Sequence, residues 1–288
     1  MKKSKTNILN NFFSKNTFYH CYSEGQDKTY IQVINRYIDQ PVGKNNKQLV
    51  SEMYHVLKQD YRNEYFYKNT LLNKLLLGVH SVNTTTALTE IPIANSKADF
   101  VLINGKAVVY EIKTELDNLE RLENQINDYY KAFDHVAVVT YNDNVEAVRT
   151  RIQNIGKPVG IYALQKSGVL KTIQRPERYC EALDTGVLFR LLRKSEYENV
   201  IMDKYGALPE TSDFRYYNEC RKLFVQLPID ESYSEVLKIL KRRSNIIKDE
   251  YDNIPYELKF LAYFMGLKEE DYEKIDICLL YTSDAADE

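Results

Sequence analysis

The chain has 288 residues, a formal net charge of −2 and 44% hydrophobic residues. This length predicts one large domain or two modest ones, and the near-neutral charge excludes a global basic surface for nucleic acid. Cys21, Cys180, Cys220 and Cys278 are scattered singly, as is typical of a reducing cytosol. No apolar run approaches the roughly 20 residues that a membrane span needs, so we predict a cytoplasmic protein without membrane contact.

Helical patterns open the chain. Residues 1–45 form a leader with one predicted helix, whose apolar positions recur at helical spacing: Tyr30, Val33, Ile34, Tyr37 and Ile38. Two further amphipathic helices follow, with apolar stripes at Leu49, Met53, Val56 and Leu57 and then at Tyr65, Leu72, Leu75 and Leu76.

The periodicity then changes to that of strands. Short β-prone runs over 87–93, 98–103 and 107–112 predict three strands, and Asn104-Gly105 predicts a hairpin between the last two. Asp117 is the predicted N-cap of the next helix. A buried strand at 135–140, a helix at 145–155 and strands at 158–164 and 169–173 follow. Strands that alternate with helices favour an α/β core, a mixed sheet flanked by helices, over residues 46–175.

After the core only helical patterns remain. They predict an all-helical C-terminal region over 176–277, in which Ser232 and Glu235 form a capping box. Residues 278–288, CLLYTSDAADE, resemble the in-frame translation of a sequencing adapter; the alternative is an ordinary polar tail.

The clearest basic stretch comprises Lys238, Lys241, Arg242, Arg243 and Lys248. A solvated helix face and a phosphate-binding face both remain open for it.

The segment from Lys97 to Tyr130 carries the strongest chemical signal. Asp99 lies near the start of one apolar strand, and Glu111-Ile112-Lys113 end the next. Two carboxylates brought together across a hairpin can hold a divalent metal ion, and Lys113 projects from the same strand face as Glu111. That is the chemistry of metal-assisted phosphodiester cleavage. The alternative is a surface charge cluster.

The hairpin register decides whether these groups meet. A two-residue turn at Asn104-Gly105 would pair Asp99 with Tyr110 and place Asp99 and Glu111 on opposite sheet faces. A three-residue loop over 104–106, with Gly105 left-handed, would place Asp99 directly across from Glu111. We predict the second register.

These residues resemble a known superfamily. Asp99 and Glu111-Ile112-Lys113, in an α-β-β-β-α-β order, are similar to the motif of the PD-(D/E)XK nuclease superfamily, which has a restriction-endonuclease-like fold. Gln125 and Tyr129 resemble the QxxxY element of some of its branches. The wording ADFVLINGKAVVYEIK is also similar to that of an uncharacterised bacterial family in this superfamily, named after a myxobacterial locus. The resemblance covers residues 49–140, and Ala98 replaces the proline that precedes the aspartate in the motif.

The resemblance implies roles for five residues. Asp99, Glu111 and the backbone carbonyl of Ile112 would ligate Mg²⁺ or Mn²⁺. Lys113 would orient the attacking water, and Gln125 would help to position the site or the substrate.

An earlier acidic residue commonly completes such a site. Glu90, at the start of the first predicted strand, is the first choice and Glu64 the second. The expected protein is a metal-dependent nuclease whose partner is nucleic acid, with DNA preferred. The alternatives are a non-catalytic nucleic-acid-binding or regulatory protein that keeps the fold, and a defence or toxin component that docks through its helical region.

Overall fold

The computed structural model describes residues 9–25, 27–61, 63–77, 84–243 and 246–282. The chain forms two compact units. The first draws on residues 1–83, 166–170 and 245–288, and the second on residues 84–165 and 171–244. These units cut across the segments predicted from the sequence, because the leader and the end of the helical C-terminal region fall in the same unit.

The first unit begins with helices. They are α1 (Lys15–Glu24), α2 (Lys28–Tyr37), α3 (Asn46–Val56) and α4 (Glu64–Leu71), with π-helical turns at Leu57–Tyr61 and Leu72–Leu77. The prediction of a single leader helix is therefore wrong. Helix α1 was missed because its sequence is mostly polar and shows no clear apolar stripe. Ser14 caps its first turn by accepting a hydrogen bond from the Thr17 N–H, and the left-handed Gly25 ends the helix.

A six-stranded mixed sheet forms the centre of the second unit. Its strands are β1 (Thr86–Ile93), β2 (Ser96–Asn104), β3 (Lys106–Lys113), β4 (His135–Tyr141), β5 (Val159–Leu164) and β6 (Leu170–Gln174), and they lie side by side in chain order. The β1–β2 and β2–β3 pairs are antiparallel, whereas β3–β4 and β4–β5 are parallel. The predicted α/β class with a mixed sheet and helices is confirmed.

The helices of the second unit cover one face of this sheet. They are α5 (Leu122–Tyr129), α6 (Val145–Ile152), α7 (Thr185–Arg190), α8 (Lys194–Tyr205), α9 (Asp213–Phe224) and α10 (Ile229–Lys241). Strand residues of that face, among them Val101, Val109 and Val138, form one buried core with apolar residues of these helices, such as Ile126 and Phe224. Burying this shared apolar surface stabilises the unit.

Two predicted helix caps are wrong. Asp117 does not begin α5, because its carboxylate accepts hydrogen bonds from the backbone N–H and the hydroxyl of Thr114, at 2.8 and 2.7 Å. These bonds close a separate turn, and the helix starts five residues later. Ser232 lies inside α10 and is fully buried, since that helix already begins at Ile229 after Pro228.

The chain returns to the first unit with α11 (Lys248–Asn253), α12 (Lys259–Met265) and α13 (Glu269–Leu280). The last helix includes Cys278, whose backbone carbonyl accepts a hydrogen bond from the Asn46 side chain at 2.8 Å. Three residues of the segment that resembles an adapter therefore continue a helix, and Leu279 is buried. Residues 283–288 of that segment lie outside the described residues. Across the described parts of the chain, every helix is too short or too polar to cross a bilayer.

Candidate functional site

The β2–β3 hairpin brings the two predicted carboxylates together. Its paired residues run from Asn104 opposite Lys106 to Phe100 opposite Tyr110, and Gly105 has a φ of +69°. Continuing this register by one residue places Asp99 across from Glu111 on the same face of the sheet. The predicted register is confirmed.

The two strands separate just beyond that point. Their last backbone pair is Phe100 opposite Tyr110, although β3 continues to Lys113 and β2 remains paired with β1. The Ile112 N–H donates instead to Oδ2 of Asp99, at 2.8 Å. Because a residue in an antiparallel strand directs its N–H and C=O to the same neighbour, the Ile112 carbonyl also faces this opening.

Glu111 lies at the centre of a hydrogen-bond network. Its side chain is 2% exposed. Oε1 accepts from Nζ of Lys113 at 2.8 Å and from Nε2 of Gln125 at 2.5 Å, and Oε2 accepts from the Tyr129 hydroxyl at 2.5 Å. Nζ of Lys113 also donates to Oε1 of Gln125 at 2.9 Å. Gln125 and Tyr129 reach the same carboxylate because residues four apart share one face of α5.

Burial sets the electrostatics of this network. Loss of water raises the pKa of the Glu111 carboxyl above its ordinary value, and the nearby Lys113 ammonium opposes that rise. Burial, followed by the negative charge of Glu111, raises the pKa of Tyr129, so this hydroxyl is a hydrogen-bond donor. Removing one member of such a buried pair would leave an uncompensated charge.

Glu90 lies on β1, where the register with β2 places it opposite Asp99. It is in the middle of β1, between the pairs Thr89–Phe100 and Ile91–Ala98, rather than at the start of the strand as predicted. Its φ is +58°, a left-handed conformation that costs about 1 kcal/mol for a residue with a Cβ atom. One of its carboxylate oxygens lies within 4.8 Å of an oxygen of Asp99, and it also pairs with Lys97.

Glu64, the second choice for the additional acidic ligand, belongs to the first unit. It opens α4, and its carboxylate lies 2.6 Å from Nζ of Lys68 in an ion pair one turn apart on that helix. Three of the predicted site residues, Glu111, Lys113 and Gln125, are in direct contact in the Glu111 network. Asp99 lies on the adjacent strand β2, and Glu90 lies on β1.

The donor types of these residues suit a hard divalent cation, but the carboxylate oxygens of Asp99, Glu111 and Glu90 do not all lie within 4.8 Å of one another. The carboxylates of Asp99, Glu111 and Glu90 and the carbonyl of Ile112 offer only oxygen ligands, which Mg²⁺ and Mn²⁺ prefer. Asp99 is half-buried and the Glu90 side chain is 41% exposed, so the opening is accessible from solvent. Three hydrogen bonds occupy the Glu111 carboxylate, which has about four acceptor positions, so one position remains for a cation.

Asp128 helps to position the helix that carries Gln125 and Tyr129, a role that the sequence did not indicate. Its Oδ2 accepts hydrogen bonds from the Asn95 N–H at 3.2 Å and the Ser96 hydroxyl at 2.8 Å, and its Oδ1 lies 2.7 Å from Nζ of Lys131. These contacts attach α5 to the β1–β2 turn. An acidic residue beside the buried stripe of α5 is the only sequence signal for this role.

The predicted basic stretch is divided between the two units, and two of its members are ion-paired. Arg243 is paired with Glu196 and donates to the backbone carbonyl of Leu191 at 2.7 Å. Lys238 is paired with Glu235 at 2.8 Å. Lys248 belongs to the first unit, whereas the preceding residues of the stretch belong to the second. Two of the five basic residues are therefore already engaged by carboxylates of their own unit.

A cavity of about 830 Å³ lies within the first unit. Its lining includes Phe12, Cys21, Tyr30 and Cys278, and it contains none of the predicted site residues. It is therefore separate from the carboxylate constellation of the second unit.

Comparisons with known proteins point to a phage family. The family model of bacteriophage P4 protein cII matches residues 57–255, a range that contains the whole sheet and every residue of the Glu111 network. Protein cII of Enterobacteria phage P4 is 24% identical over 193 residues, which cover 65% of this chain and 67% of that protein. No solved structure matches the chain.

Proposed function

We propose that this chain, which belongs to the bacteriophage P4 protein cII family, is a metal-dependent nuclease that hydrolyses phosphodiester bonds of DNA in the bacterial cytoplasm. The observation that carries the proposal is the opening between β2 and β3. There Asp99 lies across from Glu111, and Lys113 extends from the same strand face as Glu111. The motif resemblance supports a restriction-endonuclease-like core as part of this proposal.

The proposed ligands of the cation are the carboxylates of Asp99 and Glu111 and the carbonyl of Ile112, with Glu90 as an additional ligand. When bound, Mg²⁺ or Mn²⁺ would polarise the phosphate and make an attacking water more acidic. Asp99 would hold its place through the Ile112 N–H, which fixes its Oδ2 at the opening.

The remaining residues would position the nucleophile and the carboxylate. Lys113 uses two of its three N–H donors on Glu111 and Gln125, and in the proposed reaction the third orients the water or a phosphate oxygen. Gln125 and Tyr129 hold the two oxygens of Glu111 in place, so they act as positioning residues. Such pre-organised groups contribute because they need no rearrangement during the reaction.

The test is a cleavage assay with labelled single- and double-stranded DNA, with and without Mg²⁺ or Mn²⁺. Wild type should cleave only with metal, and Asp99→Asn and Glu111→Gln should each reduce the rate by at least about 100-fold. Glu123→Gln is the matched control, because it makes the same change on the exposed side of α5. Circular dichroism should show that the variants remain folded.

Wild-type cleavage by Glu111→Gln would contradict the proposal. So would cleavage that is equally fast in EDTA, since the proposed site needs its cation. A rise in the metal concentration that gives half-maximal cleavage in Asp99→Asn would support the ligand assignment independently of the maximal rate.

A second candidate function is a non-catalytic nucleic-acid-binding protein that keeps this fold. It is favoured by the Glu111 network, in which Lys113, Gln125 and Tyr129 already occupy three of the about four acceptor positions of the carboxylate without any cation. Such a protein would bind DNA equally well in EDTA and release no product from it with any metal.

A further inference from the structure

Lys97 is a cation beside the proposed site to which the motif resemblance gives no role. It belongs to β2, two residues before Asp99, so both side chains leave the same face of the sheet. In the β1–β2 register Lys97 lies opposite Pro92, which makes Glu90 its diagonal neighbour across the two strands. The Lys97 ammonium forms an ion pair with the Glu90 carboxylate. A cation is therefore already in contact with the acidic side of the opening.

The backbone of Lys97 is held in place, whereas its side chain is open to solvent. The Tyr129 hydroxyl lies 2.9 Å from the Lys97 carbonyl oxygen and 2.5 Å from Oε2 of Glu111, so one side chain joins Lys97 to the Glu111 network. The Lys97 side chain is 60% exposed and that of Glu90 is 41% exposed. A solvated ion pair of this kind contributes little to stability. Lys97 can therefore exchange its partner while its backbone stays beside the network.

The charges at the opening favour such an exchange. The group contains three carboxylates, those of Asp99, Glu111 and Glu90, and the ammonium groups of Lys97 and Lys113 lie beside them. These side chains together have an excess of negative charge, which a divalent cation would reverse. A cation on Glu90 would also repel the Lys97 ammonium, because like charges on one carboxylate lie only a few ångströms apart. Both effects favour an anion as the next partner of Lys97.

We propose that Lys97 is a substrate-binding residue, which leaves Glu90 when a divalent cation binds there and then contacts a phosphate of DNA. In the metal-free protein its ammonium neutralises Glu90. With the cation in place, the ammonium donates a charge-assisted hydrogen bond to a backbone phosphate. Such a contact positions the strand without reading its sequence. The inference rests on the proposed function for the cation and the DNA, and it adds a contact that depends on both.

The experiment measures binding of the full-length chain to labelled single-stranded and duplex DNA by fluorescence anisotropy, in EDTA and in Ca²⁺, which takes oxygen ligands as Mg²⁺ does. The measured quantity is the gain in affinity that Ca²⁺ produces. Lys97→Met should reduce this gain about 5-fold, whereas Lys97→Arg should retain it, because a guanidinium also binds phosphate. Lys106→Met is the matched control, since it removes an exposed lysine from the turn end of the same hairpin.

The charge of Lys97 has a separate readout. In Ca²⁺, Lys97→Met should lower the slope of log K against log salt by about 0.9 for duplex and about 0.7 for single strands, the values for one phosphate. The protein alone can be titrated with Mn²⁺ and followed by electron paramagnetic resonance. Lys97→Met should bind Mn²⁺ about 3-fold more tightly than wild type, because the exposed ion pair with Glu90 no longer competes.

Three results would overturn the inference. The first is an equal gain in affinity for wild type and Lys97→Met, and the second is the absence of DNA binding by wild type in Ca²⁺. The third is weaker Mn²⁺ binding by Lys97→Met, because Lys97 would then support the metal site instead of competing for Glu90.

The two proposals fail separately, because binding in Ca²⁺ does not depend on hydrolysis. A gain in affinity that requires Lys97, without cleavage in Mg²⁺ or Mn²⁺, would support this inference and contradict the nuclease. Metal-dependent cleavage, with the same gain in wild type and Lys97→Met, would do the reverse.

Discussion

The attachment of α5 to the β1–β2 turn can be tested through Asp128. In Asp128→Asn one carboxylate oxygen becomes an amide group, which cannot accept a hydrogen bond. The remaining oxygen can still face the Asn95 N–H and the Ser96 hydroxyl, but the new amide then lies against the Lys131 ammonium. We expect the fold to persist with reduced stability.

The magnitude follows from the contacts. The Lys131 side chain is 40% exposed, so solvent screens its ion pair and the loss is about 0.5 kcal/mol. The two bonds to the turn become neutral, and charge-assisted bonds are about twice as strong, which costs about 1 kcal/mol more. The free energy of unfolding should therefore fall by about 1.5 kcal/mol at pH 7.

This loss should depend on pH. Burial alone would raise the pKa of Asp128, but hydrogen bonds from Lys131 and Ser96 outweigh it and hold the pKa below the ordinary value of 3.8. The unfolded chain therefore takes up the proton first. The stabilisation is fully present above the unfolded pKa and is lost as the pH falls through the lower folded pKa.

Urea unfolding followed by circular dichroism at pH 7, 5 and 3 measures the difference between wild type and Asp128→Asn. Hydrogen exchange at the Asn95 amide reports the turn locally. Asp143→Asn, an exposed carboxylate, is the control and should leave the midpoint unchanged. A destabilisation that is as large at pH 3 as at pH 7, or absent at pH 7, would refute the assigned role.

Three further predictions concern the same sheet. Glu90→Gly should be more stable than Glu90→Ala by about 1 kcal/mol in thermal unfolding, because glycine accepts the left-handed backbone; equal stabilities would contradict the strain. Gly160→Ala should cost about 1–3 kcal/mol, since its new Cβ would lie 2.8 Å from Pro176, and an unchanged midpoint would argue against that contact. Glu111→Leu combined with Lys113→Met should leave stability within about 1 kcal/mol of wild type or raise it, whereas Glu111→Leu alone should lose about 3 kcal/mol. A stable single variant in urea unfolding would count against a buried ion pair.

The sheet was predictable because its signals are local. Apolar runs at 98–103 and 107–112, with Asn104-Gly105 between them, predicted β2 and β3. The register followed from a chemical requirement, namely that Asp99 and Glu111 share a face, and a left-handed Gly105 satisfies it. Gln125 was assigned from the motif resemblance, and in the structure its side chain donates to the Glu111 carboxylate.

The remaining features depend on contacts that no local pattern encodes. Asp128 acts on Asn95, 33 residues earlier in the chain, and this distance leaves no periodic trace. The left-handed conformation of Glu90 was not predictable, since glutamate carries no preference for it. Asp117 illustrates competition: its side chain can cap a helix or close a turn with Thr114, and the turn prevails.

The energetic costs in this part of the sheet bear on the choice between the two functions. A structural role accounts for the pair of Glu111 and Lys113, although apolar residues would fill the same space at little or no loss of stability. It does not account for Glu90, which holds a costly backbone conformation and places its carboxylate within 4.8 Å of Asp99. Two like charges at that distance repel each other, and the Lys97 ammonium that is paired with Glu90 offsets only part of this repulsion because solvent screens its 60% exposed side chain. A cation bound at the opening would offset the repulsion and use the buried carboxylate, so one ligand would explain both costs.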